Sequence, residues 1–180
     1  MWYLHIMRRI AIFLTTLIGI TSLASAVAAE FSLDTSGPRL CFLEAESNYC
    51  LGMSAVDFER LFGPAEVKTD RKDGGVDYLY RTDGIWAVTR SGTVDAFGFH
   101  VIPFGKDSAV GQLQIKAGPI LKSTTSLREL SKVLGPYKET VELSLLNMTI
   151  YRWVVNEQVL NAIYTDGKLD EITFASPALK

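Results

Sequence analysis

Histidine is almost missing from this chain: of two, His5 sits in an apolar N-terminal stretch and only His100 lies in the body. A histidine-built metal set or a nucleophilic triad would have to rest on that one residue, and a partly exposed strand position explains it better. No H-E-x-x-H, G-x-S-x-G or P-loop pattern occurs, and no G-x-G-x-x-G stands between a strand and a helix. Lysine and arginine are scattered, which excludes a phosphate-tracking groove or a polybasic membrane patch. Carboxylates such as Asp70, Asp73, Asp77 and Asp83 sit beside basic residues in polar segments. Solvated ion pairs account for them better than the acid–base pair of a glycosidase. These absences argue against an enzyme and require no cofactor or metal.

The one long hydrophobic run is N-terminal. Arg8 and Arg9 precede an apolar stretch from Ile10 to Ile20, and small residues follow, with A-x-A sites at Ala24-Ser25-Ala26 and Ala26-Val27-Ala28. Residues 1–29 therefore read as a secretory signal peptide cut after Ala28 or Ala29. A retained anchor is the competing reading, because the run approaches the roughly 20 residues of a spanning helix. The first cysteine after the run, Cys41, follows Gly37-Pro38-Arg39-Leu40, so no lipid anchor is expected. Cleavage removes two arginines and no carboxylate, taking the formal charge from −2 to −4 and disfavouring nucleic acid. The remainder, about 150 residues, suits one compact unit in the periplasm.

An oxidising compartment would join the only two cysteines, Cys41 and Cys50. Leu40-Cys41-Phe42-Leu43 and Tyr49-Cys50-Leu51 read as two short strands folding about Ala45-Glu46, which sets the cysteines opposite each other. A redox role competes with a structural one, but there is no C-x-x-C motif and no nearby basic group to hold a reactive thiolate.

The body of the chain contains an internal repeat. Residues 54–64 match residues 126–136 without a gap, from Ser54 and Ser126 to Gly63-Pro64 and Gly135-Pro136. Each is a short helix with a serine N-cap, a carboxylate at the capping-box position (Asp57, Glu129) and a glycine suited to a left-handed C-terminal residue. Phe58, Leu61, Phe62 and Leu130, Val133, Leu134 give each helix one apolar face. Three strands follow in each copy: Tyr78-Leu79-Tyr80 matches Tyr151-Arg152-Trp153, Trp86-Ala87-Val88 matches Asn161-Ala162-Ile163, and residues 92–99 match 167–174. Alternation places Phe97, Phe99, Ile172 and Phe174 in the core. With a hairpin before each helix, the fold class is α+β, two tandem ββαβββ-like repeats of antiparallel sheet each carrying a short helix. The boundaries are 1–29 for the signal, 30–102 for the first repeat and 103–180 for the second, in one compact unit.

The helix ending in Leu134-Gly135-Pro136, the Tyr-x-Tyr or Tyr-x-Trp strand and the closing Asp166-Gly167-Lys168-Leu169-x-x-Ile172 strand resemble the repeat of β-lactamase-inhibitor-protein-like domains and SmpA/BamE-type envelope proteins. Asp83-Gly84-Ile85 and Gly111-Gln112-Leu113 also resemble an exported bacterial family associated with toxin immunity. The resemblance implies a binding module acting through surfaces and loops, with no active site to carry over. The chain lacks the lipobox cysteine of BamE.

Residues 68–75, of which five are charged, read as a loop with no charged counterpart at Leu143-Ser144-Leu145-Leu146 in the second copy. A mobile solvated loop is one reading; a partner-contacting loop is the other, since connections carry recognition on a repeated scaffold. On the second reading the partner-binding residues are Asp70, Arg71, Lys72 and Asp73 with the neighbouring Tyr80, Trp86 and Arg90; Tyr80 and Trp86 could equally be core, as Tyr78 and Trp153 are read to be. The expected function is an immunity protein or inhibitor that binds a folded toxin or envelope-acting enzyme. A non-enzymatic assembly or stabilising factor is the alternative.

Overall fold

The computed structural model describes residues 30–34, 40–44, 47–81, 83–102, 112–115 and 120–177. The signal-peptide segment, the Ala45-Glu46 turn and the boundary near 103–108 lie outside the described residues. Fourteen elements follow in order: β1 (Glu30–Asp34), β2 (Cys41–Glu44), β3 (Ser47–Cys50), α1 (Ala55–Phe62), β4 (Val67–Asp70), β5 (Val76–Tyr80), β6 (Ile85–Arg90), β7 (Thr93–His100), β8 (Gln112–Ile115), α2 (Leu127–Leu134), β9 (Glu139–Leu143), β10 (Met148–Val155), β11 (Gln158–Thr165) and β12 (Lys168–Ala175). A short 3-10 turn, Ser144–Leu146, joins β9 to β10.

The strands form two sheets. One is four-stranded in the order β3-β2-β1-β8; the other is eight-stranded in the order β4-β5-β6-β7-β12-β11-β10-β9. The chain is thus α+β and mostly antiparallel, although β1 and β8 pair in parallel. Within β2–β3, Cys41 pairs directly with Cys50 and the two form a disulfide.

Both helices begin and end as their residues dictate. The Ser54 hydroxyl accepts from the Asp57 N–H at 3.0 Å, and the Ser126 hydroxyl accepts from the Glu129 N–H at 3.3 Å. Only the second completes a capping box, with the Glu129 carboxylate accepting from the Ser126 N–H at 2.7 Å. Asp57 instead accepts from the Ser54 hydroxyl at 2.8 Å. Gly63 and Gly135 have positive φ, 90° and 80°, but their ψ angles of 179° and −170° lie outside the left-handed helical basin expected for them. This is the region open essentially to glycine alone.

An aromatic donor from the sheet meets each helix end. The Tyr80 hydroxyl donates to the Gly63 carbonyl at 3.2 Å, and the Trp153 indole N–H donates to the Gly135 carbonyl at 2.9 Å. Each satisfies a carbonyl that the helix leaves without an internal partner. Phe58 and Leu130 are fully buried beneath these helices and join Phe97, Phe99, Ile172 and Phe174 in one core, together with Leu33, Tyr49, Leu113 and Ile115 of the smaller sheet.

The arrangement departs from ββαβββ in three ways. Four strands follow each helix rather than three, because the polar segments Val67–Asp70 and Glu139–Leu143 are edge strands. Edge strands are mostly exposed and charged, a usual guard against unwanted pairing, so they lack the alternation that marks a half-buried strand. The element before α2 is the single strand β8 with an isolated Gln114–Ile120 bridge, and it joins the sheet of the first hairpin. Finally, β1 had no counterpart in the expected plan.

Across the middle of the large sheet, Gly98 of β7 faces Thr173 of β12, with Phe99 opposite Ile172 and Phe97 opposite Phe174. Both strands carry a register shift in pairing with their other neighbour, leaving Asp95 and Asp170 as the extra residues. Those two carbonyls accept from the Ser176 and Val101 N–H groups at 2.8 and 2.7 Å, so each bulge fastens the seam between the halves.

No atom lies within 4 Å of a Cβ built on Gly63 or Gly135, so substitution there strains only the backbone. Gly63→Ala and Gly135→Ala are each expected to lower stability by about 1–3 kcal/mol in denaturant melts. Neutral results at both would show that these glycines do not set the helix ends.

Candidate functional site

The residues proposed from the sequence divide between two faces of the large sheet. Alternation along β5 places Tyr78 and Tyr80 toward the helices, and both are buried, at 7% and 3% exposure. Tyr80 packs edge-on against Phe62 at 4.4 Å between ring centroids, and burial pushes its hydroxyl pKa upward. Tyr80 is therefore a core residue that holds α1, which corrects its assignment to a partner surface. Trp153 is also buried, at 1%.

Residues 68–75 do not form a single loop. Val67–Asp70 is edge strand β4, and a tight turn follows, closed by the Arg71 N–H donating to the Gly75 carbonyl at 2.9 Å and the Gly74 N–H donating to the Arg71 carbonyl at 3.1 Å. Asp70 and Lys72 are exposed there. Arg71 pairs with Asp77 at 3.0 Å and Asp73 at 3.3 Å, and Arg90 reaches Asp73 at 3.5 Å and Asp95 at 3.6 Å. The Gly75 N–H, with Arg71 and Arg90, holds the Asp73 carboxyl below its usual range. These pairs lie at the surface, where such contacts contribute little stability, so their main effect is to order the turn.

Trp86 lies on the outer face, turned away from the helices. Its indole N–H donates to the Glu171 carboxylate, and a Cβ at Gly98 would collide with both the indole and that carboxylate. Gly98 is therefore what lets Trp86 lie flat across β7. His100 stands beside this group, its Nε2 4.0 Å from Glu171 Oε1, with both side chains only 14% exposed. Desolvation raises the Glu171 pKa, the neighbouring Asp170 adds to it, and His100 and the indole N–H draw it back.

Beside Trp86 the outer face forms a depression of about 250 Å³, lined chiefly by Val67, Thr69, Asp77, Leu79, Trp86 and Val88. That is below the usual size of a site enclosing a drug-sized molecule, but it is roomy enough for side chains of a docking surface. Arg71 reaches this rim through Asp77, so the charged turn and Trp86 border the same ground. Among the described residues, no group of three or more His, Cys, Asp or Glu side chains is placed to hold a metal ion, and no helix is long and apolar enough to cross a membrane.

Sequence reasoning placed Trp86 here but missed Glu171, His100 as its neighbour, Val67, Leu79 and Gly98. Two-residue alternation from the buried Ile172 already puts Glu171 on the outer face, but only the pairing of β7 with β12 sets it beside His100. The usable signal was glycine in the middle of an aromatic strand, Phe97-Gly98-Phe99, which marks a close approach.

No family model and no curated protein matches this chain. Among solved structures, it is similar to a DUF4309 family protein, YjgB, from Bacillus subtilis, at 15% identity and a TM-score of 0.46, covering 68% of this chain and 78% of that one. It is also similar to an extracellular protein containing a SCP domain from Bacillus anthracis, at 11% identity and a TM-score of 0.47, covering 70% of this chain and 44% of that one.

The raised Glu171 pKa has a definite linkage sign. Its stabilising contribution is present below the ordinary carboxyl value of 4.5 and is lost as pH rises through the folded-state value, so ionised Glu171 costs stability near neutrality. Glu171→Gln keeps an acceptor for the indole and removes the charge. It is expected to melt higher than the wild type at about pH 7, with the difference closing as the pH falls toward about 4. A lower melting temperature for the variant at neutral pH would contradict this.

Proposed function

We propose that this chain is an exported, non-enzymatic binding module of the periplasm that engages a folded protein, as an immunity protein or inhibitor acting on a toxin or an envelope-acting enzyme. The N-terminal signal peptide is, on this reading, removed on export. On this reading the two stretches of helix and four strands are copies of one unit, and its partner surface is where the copies differ.

The observation that carries the reading is one row of side chains across the outer face. In register it runs Val67, Leu79, Trp86, Gly98 in one half and Thr173, Asn161, Arg152, Glu139 in the other. The second half is a closed polar ladder: Asn161 donates to the Thr173 hydroxyl at 3.0 Å, while Arg152 donates to Asn161 at 3.0 Å and to Glu139 at 2.7 Å. The first half has equivalent positions but presents aliphatic groups and an indole around the depression. A half-buried aromatic ringed by charged pairs has the composition of an interface centre, and tryptophan and arginine are enriched among residues that dominate binding. The resemblance to inhibitor-type binding modules points the same way.

Capture from periplasmic extract with the purified protein tests the reading. A toxin or wall-acting enzyme is the expected catch; an assembly component would favour the alternative. Trp86→Ala, with its melting curve measured alongside, is expected to weaken the complex by about 2 kcal/mol or more, roughly 30-fold. Neutralising Asp70, Arg71, Lys72 and Asp73 together should mainly slow association and flatten its salt dependence. A partner held as tightly by a folded Trp86→Ala variant would move the site elsewhere.

A further inference from the structure

Glu171 is a costly choice for the place it occupies. Its carboxylate is only 14% exposed in the middle of an eight-stranded sheet, and a glutamine would offer the indole the same acceptor without a charge to desolvate. The scaffold does not demand this group either. The corresponding positions in the other half are Asn161 for Trp86, Ala96 for Glu171 and Ala175 for His100, none of them titratable. What glutamate adds over glutamine is a charge that responds to protons.

We propose that Glu171, with His100 beside it, forms a proton-responsive latch on Trp86, which holds the indole firmly against Gly98 while the carboxylate is ionised and loosens it when the carboxylate takes up a proton. An ionised acceptor holds an N–H donor about twice as strongly as a neutral one. On the outer face Trp86 meets no Cβ at Gly98, so this hydrogen bond is what fixes the ring in place. The groups facing the carboxylate are His100 from β7, the Trp86 N–H from β6, Ile163 opposite on β11 and the adjacent Asp170 on its own strand. Burial and Asp170 favour the protonated form, and His100 and the indole oppose it. A midpoint read at Trp86 therefore reports Glu171 in these surroundings. The consequence for binding rests on the docking role given to Trp86 above: partner affinity falls as the medium becomes acid. The latch itself is a property of the isolated protein.

The indole N–H resonance of Trp86, assigned by its loss in Trp86→Phe, reports the latch directly in 15N-labelled protein titrated from about pH 8 to about pH 4. The resonance should shift with a midpoint above the ordinary glutamate range while that of Trp153 stays still. In Glu171→Gln the shift should vanish, and in His100→Asn its midpoint should move to higher pH. A Trp86 resonance that does not move in the wild type, or that titrates equally in Glu171→Gln, overturns the proposal. A titrating latch combined with a captured partner indifferent to Trp86→Ala would leave the latch standing and remove the docking face.

Discussion

The large sheet is continuous only because β7 and β12 pair, and most of the molecule is arranged about that seam. Gly98 faces Thr173 at its centre, and Phe97 packs on Phe174 at 4.9 Å between ring centroids just inside it. The carbonyl at each bulge accepts a backbone hydrogen bond from the first residue beyond the opposite strand, Asp95 from Ser176 and Asp170 from Val101. Without this pairing there would be two four-stranded sheets, each with a short helix and an additional open edge, and each burying too little apolar surface to offset its chain entropy comfortably. Joined, they share one core with the smaller sheet.

The seam divides the two faces into different kinds of constraint. On the inner face, both halves solve the same problem by the same means: an eight-residue helix is unstable alone, so it is capped by serine, ended at glycine and tied to the sheet by an aromatic donor. A further pair of tyrosines does similar work. Tyr49 donates to the Leu61 carbonyl at 3.3 Å, and Tyr164 donates to the Thr125 carbonyl at 3.0 Å, with burial pushing the Tyr164 hydroxyl up to about 12. On the outer face nothing comparable has to be held, and the two halves part company there. One closes its polar groups on each other; the other gathers Trp86, Leu79 and Val67 beside a half-buried carboxylate.

What could be read from the sequence follows the range over which each interaction acts. Helix caps work within three or four residues, so Ser54, Gly63, Ser126 and Gly135 announced both helices. The turns at Ser91-Gly92 and Asp166-Gly167, with positive φ at both positions, were equally local. Two-residue alternation found the aromatic core of β7 and β12, and applied to β5 it would have put Tyr80 beside Tyr78 on the buried face. The edge strands β4 and β9 were hidden because a strand with one neighbour and little burial leaves no alternation to read. The Trp86–Glu171 contact joins residues far apart in the chain and depends on the pairing of β7 with β12, which no local pattern marks.

The central claim is that the outer face of the first half, centred on Trp86, is where a folded partner sits. Hydroxyl-radical footprinting of the protein with and without its captured partner tests this most directly, because it reads side-chain exposure one residue at a time. The competing surface is the hairpin tip of the second half, where Leu145 and Leu146 are 102% and 61% exposed. Partner binding should protect Trp86, Leu79 and Val67 and leave those two leucines as reactive as before. Protection of Leu145 and Leu146 with Trp86 unchanged would contradict the account.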